Sequence, residues 1–194
     1  KPTNIVKHNL PKHFKHEILV LGIACKFALA NSYTEFWQKL CKKCNLVMHA
    51  TKNKQKYLPK HVPYGGFIDN VFIKGQKEFA LSEQEEILIH PTHKLLLEIC
   101  GNALADASIL SKTKHIPYFK SKIANIGVFV GAVSPLNTKI NEYSNFTATA
   151  KGFNMAANRV SYHFNLTGPS FVLDSACSSS LNALECGILS LRSK

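Results

Sequence analysis

No apolar run in this sequence is long enough to cross a bilayer. The run Ile18 to Ala24 is bracketed by Glu17 and Lys26, far short of the roughly 20 apolar residues that a spanning helix needs. Arginine is nearly missing: of 24 basic side chains only Arg159 and Arg192 are arginine. Acids are scarce and unevenly placed. Residues 1–60 hold 12 basic side chains against Glu17 and Glu35 alone, whereas residues 61–111 carry seven acids against three lysines. With so little arginine and little aromatic interleaving, the net charge of +12 reads as a solvated lysine face rather than a nucleic-acid stripe. Repeats and low-complexity tracts are absent as well. A chain of 194 residues, 45% apolar and 19% charged, is globular in composition and long enough for one core or a large piece of a bigger one. Lys1 stands where a start methionine would, and the apolar stretch Ala183 to Leu191 runs out without a closing turn, so both ends are expected to be cut.

Residues 1–30 imitate a secretory leader, with a basic front and Ala28-Leu29-Ala30 shaped like a cleavage site. The flanking Glu17 and Lys26 leave a core only about as long as the shortest leaders use, and a cytoplasmic chain is expected. The sequons at Asn145 and Asn165 then carry no sugar. Six cysteines do not form a disulfide pattern in a chain this long. Cys25 follows the first apolar run, and Cys100 and Cys186 fall on apolar helical faces. Cys41-Lys42-Lys43-Cys44 lacks a second ligand pair, with only His49 nearby; reduced, buried or half-exposed thiols are expected rather than zinc.

Residues 1–16, with Pro2 and Pro11, read as a linker. Ile18 to Ile23 is continuously apolar, the pattern of a strand covered on both faces in a parallel sheet. Ser32-x-x-Glu35 marks a capping box, opening a helix that carries Phe36, Trp37, Leu40 and Cys44 on one face. A lysine-rich loop leads to Pro63-Tyr64-Gly65-Gly66, and an irregular stretch is expected from there to Pro91. His93 to Ala107 forms a helix with Leu95, Leu96, Ile99, Ala103 and Leu104 inward. Lys112 to Lys122 is a basic loop, Ile126 to Gly131 a second buried strand whose glycines permit close backbone approach, and 141–163 one or two short helices. Phe171 to Leu173 is a third buried strand, followed by helix from Ala176. Strands separated by helical crossovers make an α/β domain with a largely parallel sheet.

The chemistry gathers where that third strand turns into the last helix. Asp174-Ser175-Ala176-Cys177-Ser178-Ser179-Ser180 is a tight turn of small residues, so a carbonyl can approach the sulfur. A helix N-terminus favours a thiolate, and its free N–H groups can hold an oxyanion. By themselves the residues fit a nucleophile and a merely buried cysteine equally. A thiol nucleophile needs proton-handling partners, and no histidine follows His163, which itself reads as a structural histidine beside Tyr162.

Gly168-Pro169-Ser170-Phe171-Val172-Leu173-Asp174-Ser175-Ala176-Cys177-Ser178-Ser179-Ser180-Leu181 resembles the active-site block of β-ketoacyl synthases, more narrowly the ketosynthase domains of animal-type fatty acid synthases and type I polyketide synthases. The resemblance runs in order from about residue 17 to the end. Val20 to Phe27 is similar to the family's opening strand, Glu35-Phe36-Trp37 to its first helix and Gly65-Gly66-Phe67-Ile68-Asp69 to its next loop. Pro91 to Glu98 is similar to its long helix, Gly127 to Gly131 to its second strand, and Ala157 to Tyr162 to the stretch before the elbow. Three departures stand out: His90 where many relatives have an acid, Lys94 where they have arginine, and Ala28-Leu29 in place of Pro-Gly.

The resemblance implies a thiolase-like (αβαβα layered) α/β fold with only its N-terminal part present, in residues 17–194. It implies Cys177 as the catalytic nucleophile, with its own N–H as one oxyanion donor. Cys177 would take an acyl chain from phosphopantetheine on an acyl carrier protein domain, and condense it with a decarboxylated malonyl-type thioester. The segment itself would bind no cofactor or metal, the intact protein would be a homodimer, and neither nucleic acid nor membrane would be a partner. The family's two catalytic histidines lie beyond this stretch, so condensation by the chain alone is not expected. Alternatives are an inactive partial gene product, a basic anion- or nucleic-acid-binding module, and a Cys–His thiol hydrolase, which also lacks its downstream histidine.

Overall fold

A computed structural model describes residues 18–55, 58–59, 61–68, 81–107, 125–133 and 145–193. The expected linker at 1–16 and the basic loop at 112–122 lie outside these residues. In chain order the elements are α1 (Tyr33–Cys41), β1 (Met48–His49), α2 (Lys52–Gln55), β2 (Tyr64–Gly65), α3 (Glu83–Leu88), α4 (Pro91–Asp106), β3 (Val128–Gly131), α5 (Thr147–Lys151), α6 (Met155–His163), β4 (Ser170–Leu173), a 3-10 turn (Ala176–Ser178) and α7 (Ser179–Arg192).

Strands β3 and β4 pair in parallel, Val128 opposite Ser170 and Gly131 opposite Leu173. Val128 and Val130 point into a core formed with Leu97 of α4, Ala157 and Val160 of α6, and Phe164 and Leu166. Phe164, 1% exposed, fills the space left by Gly101 of α4, where its ring lies 3.3 Å from the site of a missing Cβ. The expected long helix therefore forms, and Leu96 and Leu104 of its expected inward face pack against the core, but its fully buried stripe is His93, Leu97 and Gly101.

The expected first strand does not form. Residues 18–26 have no strand geometry, and Leu19, Val20 and Leu21 are 67%, 81% and 69% exposed. A strand requires a partner for its N–H and C=O groups, and this run pairs with no described strand. The Ile23 N–H instead bonds the Asp106 carboxylate at 3.0 Å. The run is held at α4 by Gly22, where any Cβ would press on the Ala107 nitrogen, and by the ion pair of Lys26 with Glu98 at 2.8 Å.

Other elements differ in detail. The Ser32 hydroxyl accepts from the Glu35 N–H, but the Glu35 carboxylate reaches the Asn31 N–H rather than completing a box. The full capping box is at Ser82 and Glu85, opening α3 in the stretch expected to be irregular. Helix α1 buries none of its residues, with Trp37 66% exposed. The loop before Gly66 contains the antiparallel pair β1–β2. β4 is not buried on both faces, since Phe171 is 54% exposed. Two short helices do occupy 147–163, and Cys100 does lie on a packed helical face.

Two departures from the family pattern are accommodated locally. His90 caps α4, its Nδ1 accepting from the Thr92 N–H at 3.2 Å, the service an aspartate gives at that position. Phe27 and Ala30 exchange two backbone hydrogen bonds across Ala28-Leu29, and Leu29 takes φ 58°. A left-handed third residue is what a type II turn demands and what glycine supplies without strain.

Candidate functional site

β4 delivers the chain to Leu173, whose carbonyl accepts from the Ala132 N–H at 3.1 Å. Helix α7 then starts across the end of β3. Gly131 makes this approach possible, because a Cβ there would overlap the backbone of Ser179 and Ser180. The strand end and the helix start are thus fixed against each other by main-chain contact.

Between them the turn is strained and held by hydrogen bonds. Ala176, immediately before Cys177, stands at φ 54°, a left-handed state that costs an alanine about 1–3 kcal/mol. Surrounding hydrogen bonds hold it there. The Asp174 carboxylate accepts from the Ala176 N–H at 3.2 Å. The Ser179 hydroxyl, only 4% exposed, accepts from the Ser175 N–H at 2.9 Å and donates to the Ala176 carbonyl at 2.7 Å. The N–H groups of Ser178 and Ser179 bond the carbonyls of Ser175 and Ala176. The helix expected from Ala176 does start there, as a 3-10 turn that contains Cys177, and becomes α-helical at Ser179.

Cys177 is exposed. The cap residue of α7, Ser178, makes no side-chain bond to the helix N–H groups. Cys100 is the opposite case: burial among α4 and core residues pushes its thiol up to about 11, leaving it protonated and inert. Cys41 and Cys44 are exposed rather than buried or half-exposed, whereas Cys25 and Cys186 are intermediate. Among the described residues no three His, Cys, Asp or Glu side chains gather as a metal site, and no helix is long and apolar enough to cross a membrane.

His163 ends α6 with its ring edge-on to Phe164 at 5.2 Å. Burial and the neighbouring Arg159 charge lower its pKa to about 4. His93 of α4 is also held at about 4, by burial first, then Arg159 and His90. Arg159 itself bonds the Thr149 carbonyl at 2.9 Å and lies 3.6 Å from Glu85. Periodicity cannot detect this buried polar cluster, although an arginine among small apolar residues is a signal that could have pointed to it.

Residues 15–194 match the family profile described as "Beta-ketoacyl synthase, N-terminal domain". Polyketide synthase PksM of Bacillus subtilis (strain 168) is 28% identical over 91% of this chain, which spans 4% of that protein. Polyketide synthase ThaG of Burkholderia thailandensis is 31% identical over 91% of the chain and 3% of its own length. Non-reducing polyketide synthase pks12 of Talaromyces marneffei is 29% identical, with coverage of 94% and 11%. Among solved structures, the ketosynthase from module 6 of the bacillaene synthase of Bacillus subtilis 168 superposes with a TM-score of 0.68 at 22% identity, covering 89% of this chain and 29% of that one. The oxazolomycin ketosynthase domain OzmH KS7 of Streptomyces albus JA3453 gives 0.68 at 25% identity, covering 91% and 32%. These likenesses show a thiolase-like fold, of which this chain matches the N-terminal part.

Proposed function

The chain belongs to the β-ketoacyl synthase family, and from that premise we propose that Cys177 is the acyl-accepting nucleophile of a ketosynthase. Residues 17–194 are the front portion of its domain. The observation that carries this reading is the elbow itself: an exposed thiol follows a strained Ala176 at the uncapped start of α7. The relatives' names favour polyketide over fatty acid assembly, and nothing in the site favours a nucleic-acid module.

In the acyl-transfer step the Cys177 thiolate attacks the carbonyl carbon of an acyl thioester on the phosphopantetheine of an acyl carrier domain. The new C–S bond forms as the old one breaks, and the carrier leaves as a thiol, taking up the proton that Cys177 lost. Amide donors at the elbow hold the oxyanion between these events, a contribution that reaches about 3–4 kcal/mol per donor in other enzymes. In the condensation, a malonyl-type thioester loses carbon dioxide and its carbanion attacks the Cys177-bound acyl carbon. A C–C bond forms and Cys177 leaves as thiolate. The described residues support the acyl-transfer half. The intact synthase acts as a cytoplasmic homodimer.

The test is the mass of the chain after incubation with an acyl thioester. One acyl group is expected on the native chain and none on Cys177→Ala. An adduct that survives in Cys177→Ala, or one never formed on the native chain, contradicts the reading.

A further inference from the structure

One side chain from within α7 reaches back into the elbow. We propose that Asn182 is a positioning residue for Cys177: through the Ser175 hydroxyl it holds the turn in the conformation that leaves the Cys177 N–H free for the acyl oxygen. This role rests on the acyl-transfer reading of Cys177.

Asn182 lies in the first turn of α7, half-buried, and its Nδ2 donates to Ser175 Oγ at 2.6 Å. An amide nitrogen only donates, so Ser175 Oγ accepts from Asn182. Ser178 Oγ donates toward Ser175 as well, to its Oγ at 3.1 Å and to its carbonyl at 2.9 Å. Three contacts converging on Ser175 tie the helix to the residue two before the nucleophile.

The backbone donors of the turn show what is being held. The N–H of Ser175 goes to Ser179 Oγ, that of Ala176 to Asp174 Oδ1, that of Ser178 to the Ser175 carbonyl and that of Ser179 to the Ala176 carbonyl. Among the described residues of this turn, the Cys177 N–H alone has no partner. Its direction follows from the backbone at Ala176, whose φ of 54° would relax by turning the Ser175–Ala176 peptide. The carbonyl of that peptide accepts from the Ser178 hydroxyl, and the Cys177 N–H would swing with it. A rotation would carry the Cys177 N–H away from the thiol's approach face. A strained conformation persists only when its surroundings over-determine it, and the Asn182–Ser175–Ser178 chain is the side-chain part of that restraint.

The experiment compares two reactions at one sulfur. S-acetyl-N-acetylcysteamine, a small acyl thioester, builds an oxyanion when Cys177 attacks it. Iodoacetamide loses iodide to the same sulfur and builds none. Both rates at Cys177 are read by mass spectrometry of the full chain with peptide mapping. Asn182→Ala is expected to slow acetylation about fivefold, the effect of losing one modest hydrogen bond, with alkylation unchanged. Ser175→Ala is expected to do the same, and the double variant to be no slower than either single one, since both remove one interaction. Acetylation unchanged in Asn182→Ala overturns the proposal, as do additive losses in the double variant. So does a parallel fall of both reactions, which would mark Asn182 as merely structural. A native chain alkylated but never acetylated at Cys177 overturns the acyl-transfer reading itself, and the role of Asn182 with it.

Discussion

The two sides of the β3–β4 pair are built differently. On one side Val128 and Val130 meet Leu97, Val160 and Phe164 in a closed core, with His93 buried beside it. On the other, Phe129 and Phe171 stack with ring centres 5.8 Å apart and α7 lies across the strand ends. Of α7 only Ser179 and Ala183 are buried. Between α7 and β3 runs an apolar groove of about 650 Å³, lined by Ile126, Phe129, Ala183, Leu184 and Ile188 among others. Packing energy is concentrated on the closed side, and the reactive turn on the open one. The rigidity of Cys177 therefore comes from main-chain contact at Gly131 and from local hydrogen bonds more than from burial of its helix.

The largest expected effect lies on the closed side. Phe164→Ala should lower stability by about 3–5 kcal/mol in denaturant titrations, because a fully buried ring leaves a cavity under Gly101. Acid should weaken the same side. His93 and His163 have folded pKa values of about 4 against an ordinary 6.5, so between these pH values the unfolded chain binds the extra protons. Their contribution to stability is complete above about pH 6.5 and is lost as pH falls from there toward 4. The denaturation midpoint should drop from pH 7 to pH 5. Arg159→Gln should flatten that dependence by removing a charge that depresses both pKa values.

Gly131→Val joins the two sides. Its side chain would push on the backbone of Ser179 and Ser180, costing about 1–3 kcal/mol as an overpacked contact and slowing Cys177 acylation. Stability lost with acylation intact would break the claim that Gly131 sets the elbow. Leu29→Gly should gain about 1 kcal/mol in the same titrations, by relieving the left-handed leucine of the Phe27–Ala30 turn. The smallest change belongs to the open side: Leu184→Ser, at a leucine 59% exposed, should shift stability by less than about 0.5 kcal/mol. A loss there approaching that of Phe164→Ala would erase the difference between the two sides.

Legibility in the sequence divides along similar lines. The turn at Cys177, the strand of Val128 to Gly131 and the long helix can be read because each is specified by local composition. A run of β-branched residues ending in glycine, or a proline before apolar periodicity, needs no distant partner to be recognised. The run Ile18 to Ile23 misleads for the opposite reason: apolarity signals that a segment seeks burial, not that a neighbouring strand is there to provide it. Phe171 looks more buried in the sequence than it is on the same ground. Helix α3 is legible in principle, since Ser82-x-x-Glu85 is a complete capping box, yet it adjoins residues with no clear period. The His93–Arg159–His163 cluster and the Asn182–Ser175 bond cannot be read at all. Each joins side chains whose meeting depends on how elements cross or turn.

The central claim is best tested by selectivity. Three thiols are exposed among the described residues, Cys41, Cys44 and Cys177, and iodoacetamide should modify all three. An acyl thioester offered to the native chain under the same conditions should acylate Cys177 and leave Cys41 and Cys44 free, as read by peptide mapping. Acyl groups spread over the three cysteines in proportion to their alkylation would show that the elbow confers nothing beyond exposure, and would contradict the account.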